Sequence, residues 1–369
     1  MDFEFSSDSV MLRDMVRRFV QKEVRPLEME FFNHGSIDGA RQERLRAALD
    51  QMGLWGITVP EQFGGGGLDV VSSCLLDEEL GSTFLPVEIG EVTPLLFDCR
   101  GGQVQHYLQP ALAARRKAFI AAREPGGLDP ERWQTQAIQR ADGWEVSGRK
   151  EVAGVPAPRD FWILFARSAA GPTAFLVDAD SAGLDLLSGK APLLDLHRAV
   201  LPAGSILGSE GNAFQLARPY APIAWIRTGA RYLGMVSRLL EMACEHARDW
   251  VALGGPLSVR RAVRRMLAET QVDLESCRWL VYHAAWMADR GLAIRVAASQ
   301  VRLGTGEMLR RAVDRTTMVF AGAGPSPQIE INRFVRSAAP AAALDWALDQ
   351  AREAIAAAML QWPAEGGRE

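Results

Sequence analysis

From Leu216 onward the chain carries three long stretches, Leu216 to Leu253, Ser258 to Arg290 and Leu292 to Phe320, in which apolar residues return at helical spacing. Gly254-Gly255-Pro256, Gly291 and the run Ala321 to Pro327 separate them, and a fourth stretch follows at about Ala341 to Gln361. Helices this long with short links bury their apolar stripes against one another, which predicts an antiparallel four-helix bundle. None approaches the ~20 consecutive apolar residues of a membrane span.

Before residue 117 the pattern is also helical. Ser6, Ser7 and Asp8 suit a helix start, and Met11, Met15 and Phe19 follow at a spacing of four. A second helix is expected over Asp38–Met52, ending at Gly53. Gly53 to Asp69 reads as an irregular glycine-rich connection, with Gly64–Gly67 a flexible link. Two or three further helices are expected before Arg116. Between these blocks the period changes. KAFIAA, TQAIQR, WEVSG, FWILFARS and TAFLVDAD are short runs rich in β-branched and aromatic residues, with Ala141-Asp142-Gly143 a turn. The expectation is an α+β protein of 369 residues. It has an N-terminal helical domain (1–116), a small middle β-barrel or sandwich domain (117–210) and a C-terminal helical bundle (211–369).

Composition narrows the function classes. A net charge of −4 offers no basic field for nucleic acid or a membrane surface. Cys74, Cys99, Cys244 and Cys277 form no CxxC pair, and the five histidines show no metal spacing, so no metal site is expected. Unpaired cysteines and the absence of a leader pattern in MDFEFSSDSV predict a reduced, cytoplasmic protein.

Several segments together resemble the acyl-CoA dehydrogenases. GLWGITVPEQFGG is similar to that family's loop between its second and third helices. REPGG at Arg123–Gly127 stands where the family writes TEPGAGSD, and GWEVSGRK at Gly143–Lys150 matches the turn before its WIT segment. The family's R-x-x-FG stretch falls on Trp250 to Gly254, and its QxFGGxG motif on Met318 to Gly324. The resemblance covers nearly the whole chain. It implies an acyl thioester substrate, an FAD cofactor and a glutamate base for the α-proton. A hydride would pass from the β-carbon to the flavin.

Carried over residue by residue, the resemblance meets substitutions. The glutamate base falls on Asp345, one methylene shorter; an acidic residue early in a helix is the plainer alternative. The flavin-facing threonine is Arg123, next to Ala122. The tryptophan and threonine of WIT are Val152 and Gly154. Trp250 replaces an arginine that would reach a neighbouring subunit's FAD pyrophosphate. Its companion phenylalanine and glutamine are Leu253 and Arg261, and the threonine after the base is Ala347. Gly322 and Gly324 are retained, as a tight turn alone would require. The direct count for the family's substrate-side arginine lands on Trp225. Arg260, Arg261, Arg264 and Arg265 form a basic stripe expected to face solvent or a subunit.

Three functions stay open at this level. One is a degenerate dehydrogenase-type subunit sharing sites with a partner chain in a homo- or hetero-oligomer. Another is a flavin-independent, non-redox enzyme on an acyl-CoA or acyl-carrier substrate, with Asp345 and Arg123 catalytic. The third is a non-catalytic scaffold. Beside these stands a fourth reading, a self-sufficient flavoenzyme that has rebuilt its FAD contacts.

Overall fold

A computed structural model describes residues 4–87, 89–125, 127, 132–152, 159–187, 192–252, 254–320, 331, 335 and 345–360. The chain divides into two compact units. The first is helical and takes residues 1–54, 67–89 and 221–369; the second takes 55–66 and 90–220.

The helical unit contains α1 (Ser7–Phe19), α2 (Glu28–His34), α3 (Gly39–Gln51) and α4 (Val70–Gly81). Its later part supplies α7 (Ala221–Asp249), α8 (Arg261–Asp289), α9 (Arg295–Phe320) and α10 (Asp345–Met359). The C-terminal helices thus begin and end within a few residues of the limits read from apolar spacing. Ser6 caps α1 by accepting from the Ser9 N–H at 3.1 Å. Asp69 caps α4 through the Ser72 N–H at 2.7 Å. The first two amides of α4 are met from another helix: Val70 and Val71 donate to Asp289 at 2.7 and 3.0 Å. The last turn of α8 therefore completes the start of α4.

α4 is apolar on nearly every side, as a helix enclosed by others must be. Its one buried carboxylate with no exposure, Asp77, accepts from Arg227 at 2.6 Å and Arg231 at 2.8 Å, both on α7. The crossing of α4 and α7 is close because glycine stands on both sides. A Cβ on Gly81 would lie 2.2 Å from the Arg231 carbonyl, and one on Gly234 would lie 1.9 Å from the Glu78 carbonyl. Ile226, Leu233, Val236, Val281, Val301 and Met308 fill the core between these helices.

The second unit is built on an eight-stranded sheet. Its strands are β1 (Ala118–Ala121), β2 (Gln136–Arg140), β3 (Gly143–Glu151), β4 (Phe161–Ser168), β5 (Gly171–Asp178), β6 (Leu184–Leu187), β7 (Leu193–Pro202) and β8 (Ile206–Leu207). The order is β6-β7-β3-β2-β4-β5-β8, and β1 lies parallel to β4. β4 is buried on both faces, so its sequence FWILFARS runs apolar without alternation. Two short helices, α5 (Gln109–Leu112) and α6 (Ala213–Ala217), belong to this unit. Ala141-Asp142-Gly143 forms the β2–β3 turn, with Gly143 at φ 153°.

The glycine run does not behave as the flexible link expected of it. A Cβ on Gly65 would stand 2.1 Å from the Val59 carbonyl, and one on Gly66 would stand 2.9 Å from the Ile57 carbonyl. The Gly65 and Gly66 amides bond back to Pro60 and Gly56. Backbone is packed on backbone there, and only glycine leaves the room.

Candidate functional site

In the second unit, the end of β3 lies against the segment that follows β1. Period-two alternation turns Trp144, Val146, Gly148 and Lys150 to one side of β3. Lys150 therefore points inward, and its side chain has no exposure. The ammonium donates to Glu124 Oε1 at 2.8 Å and to the Ala122 carbonyl at 3.2 Å. It lies 4.0 Å from the centre of the Trp133 ring. Glu124 also accepts from the backbone amides of Gln134 at 2.7 Å and Thr135 at 3.0 Å. Burial pushes the Lys150 ammonium down to about 8, against the pull of Glu124. Burial also works to raise Glu124, but the hydrogen bonds from Lys150 and Thr135 outweigh it and hold the carboxyl below its usual range. This pair was not singled out in the sequence, although the alternation WEVSGRK already turns Lys150 inward.

Arg123 stands next to this pair and faces the other way. Its Nε pairs with Glu151 Oε2 at 2.6 Å while about half of its side chain stays exposed. The Glu151 amide also donates to the Arg123 carbonyl at 2.8 Å. Val152 is buried, with its amide on the Pro192 carbonyl at 3.0 Å. Ala122, Arg123 and Val152 are thus drawn together by the same strand end.

In the helical unit, Trp250 follows α7 and is half-exposed. It stacks on His246 at 5.4 Å, and His246 stacks on Phe320 at 4.1 Å. Burial lowers the His246 imidazole, against Asp249. A small hairpin of β9 (Val251–Ala252) and β10 (Gly255–Pro256) leads to α8, where Arg260 Nη2 bonds the Ala252 carbonyl at 2.8 Å. Arg261 and Arg264 are exposed, and Arg265 reaches Glu269 at 3.5 Å. Asp345 is the first residue of α10 and Ala347 the third; their side chains lie outside the described residues. Gly154, Leu253, Gly322 and Gly324 also lie outside them.

A cleft of about 370 Å³ opens elsewhere in the helical unit, among Arg17, Glu78, Glu79, Arg238, Glu241 and Arg278. Its carboxylates are already met: Glu79 by Arg17 at 2.6 Å, Glu78 by Arg278 at 2.8 Å and Glu241 by Arg238 at 2.7 Å. Among the described residues no group of three His, Cys, Asp or Glu side chains is placed to hold a metal ion. No described helix is long and apolar enough to cross a membrane.

A helical region before a mixed sheet and a helical bundle after it define an acyl-CoA dehydrogenase-type fold. The family profile for the acyl-CoA dehydrogenase N-terminal domain matches residues 6–111, and that for the C-terminal domain matches residues 224–360. The chain belongs to the acyl-CoA dehydrogenase family. Among its relatives is (R)-benzylsuccinyl-CoA dehydrogenase of Thauera aromatica, 28% identical over 91% of both chains. A solved structure of an acyl-CoA dehydrogenase homologue from Mycobacterium abscessus superposes with a TM-score of 0.86 at 22% identity, covering 97% of this chain and 99% of that one. The ChsE4–ChsE5 complex of Mycobacterium tuberculosis superposes with a TM-score of 0.81 at 20% identity, covering 99% of this chain and 100% of that one. At these identities the structures establish fold alone.

The family implies FAD. At the position that the resemblance reads as flavin-facing, the Arg123 guanidinium pairs with Glu151. At Trp250, where the resemblance expects a pyrophosphate-binding arginine, a neutral indole is stacked on His246. Neither supplies the contact that the resemblance assigns to it, so these two positions do not fit the inherited mode of holding FAD.

Proposed function

We propose that this protein acts on an acyl thioester as a dehydrogenase-type subunit that has given up its own flavin contacts and shares sites with a partner chain of the same fold. The observation that carries this reading is the Arg123–Glu151 ion pair, at 2.6 Å, at a position where the family presents a small hydroxyl. Trp250 extends the same loss to the site this chain would complete for a neighbour. A cation replaced by an indole there forfeits a charge-assisted bond, the stronger kind. The ChsE4–ChsE5 structure supports the assembly in that a complex of two differently named chains has this fold. The protein is expected to lack the visible flavin band when purified alone with added FAD, and to oxidise no acyl-CoA. Co-expression with the products of neighbouring genes should restore both in the complex. Stoichiometric flavin on the lone chain, or no oxidation with any such partner and electron acceptor, overturns the proposal.

The exposed guanidinium of Arg123 favours one second reading, a non-redox step such as enolisation or dehydration. Arg123 would polarise the thioester carbonyl and Asp345, at the start of α10, would take the α-proton. Full turnover of an acyl thioester by Arg123→Ala or Asp345→Ala would end that reading.

A further inference from the structure

α7 and α9 pass close together where Gly229 faces Val301; a Cβ on Gly229 would stand 2.5 Å from Val301 Cγ1. The next residue of α9, Arg302, lays its guanidinium over the Trp225 ring, 4.7 Å from its centre. Trp225 lies one turn before Gly229 and Tyr232 about one turn after it, so the two flank the crossing on one face of α7. Both aromatic residues pack against the bundle core.

Arg302 differs from the other half-buried arginines of these helices. Arg227 and Arg231 meet Asp77, and Arg311 and Arg315 meet Asp273. No carboxylate acts on Arg302 among the described residues; burial disfavours its charge and only Tyr232 works the other way. Burial in turn raises the Tyr232 phenol, against the pull of Arg302. A half-buried guanidinium is costly unless an anion meets it, and an indole offsets only part of that cost.

We propose that Arg302, laid over the Trp225 ring with Tyr232 about two turns further along the same face of α7, recognises a carboxylate carried on the acyl group of the thioester substrate. One guanidinium and one phenol on apolar walls match a single charge at the end of a hydrocarbon chain. A diphosphate would call for several cations. The resemblance puts a substrate-side arginine at the position of Trp225, and here a guanidinium reaches that indole from α9. This inference rests on the reading of the protein as one that takes acyl thioesters.

Calorimetric titration of the full chain, in complex with its partner where one is found, tests it with glutaryl-CoA and pentanoyl-CoA. These differ only by the terminal carboxylate. Glutaryl-CoA is expected to bind about tenfold or more tightly, the scale of a charge-assisted contact. Arg302→Gln should erase the preference while leaving pentanoyl-CoA affinity unchanged, and Arg302→Lys should keep part of it. Tyr232→Phe should reduce it less, which carries the comparison if Arg302→Gln misfolds. Equal affinities in the wild type, or a preference that Arg302→Gln leaves intact, overturn the inference alone. Binding of neither ester overturns the acyl-thioester reading and the inference with it.

Discussion

The Lys150–Glu124 pair shows how one residue can anchor a segment. A fully buried ammonium is tolerated because a carboxylate, a carbonyl and an indole surround it. Lys150→Ala leaves Glu124 buried without its cation, and should cost about 3–5 kcal/mol, the range for breaking such a pair. Urea denaturation followed by circular dichroism measures it. The same chemistry sets an acid limit. Glu124 is held below its usual carboxylate range, and so is Asp178, where Arg116 and His106 overcome the effect of burial. A carboxyl whose folded pKa is depressed contributes stability that is present above its unfolded pKa and lost as pH falls through the folded one. Stability should therefore be flat near neutrality and decline below the ordinary carboxylate range. Glu124→Gln should flatten that decline; an unchanged acid profile would place the loss elsewhere.

At the scale of elements, helix ends and helix crossings carry the argument. α4 starts on the Asp69 cap and is finished by Asp289 of α8. Asp69→Ala should cost about 1 kcal/mol, as removal of a capping side chain does. Gly234 has no such latitude: any side chain meets the Glu78 carbonyl, which is backbone and cannot yield alone. Gly234→Val should separate α4 from α7 and lower the melting temperature by more than the cap variant does. A differential scanning comparison of the two variants decides which constraint is stronger. Apolar spacing was enough to find α7, α8 and α9, because amphipathic helices of this length repeat their pattern many times. The tight packing of Gly65 and Gly66 was not legible, because a run of glycines reads alike whether it is loose or packed on a neighbouring backbone.

For the whole molecule, the family is secure, and the function proposed for it depends on assembly. Val272, Trp279 and Trp286 stand exposed on α8 at 64%, 56% and 46%. Large apolar side chains grouped on one helix are a common mark of a protein interface. Taken with the proposed sharing of sites, they predict an oligomer containing a second chain of this fold. Sedimentation should show it, and Trp279→Glu should shift it toward the monomer; a wild-type monomer with every candidate partner would contradict the expectation.

The sequence by itself determined the order of helical and β blocks, the long C-terminal helices and the family. These rest on periodicity and short motifs, which are local properties of the chain. The resemblance also set Arg123, Val152 and Trp250 where other side chains are expected. Only the tertiary structure decided what those side chains do instead. Arg123 turns to Glu151, Trp250 lies on His246, and Lys150 is enclosed with Glu124 and Trp133. It also brought Arg302 over Trp225 from a helix some seventy residues away in sequence. The reason is physical: a charge acquires its partner through packing in space, and no spacing along one element encodes which residue of another will meet it.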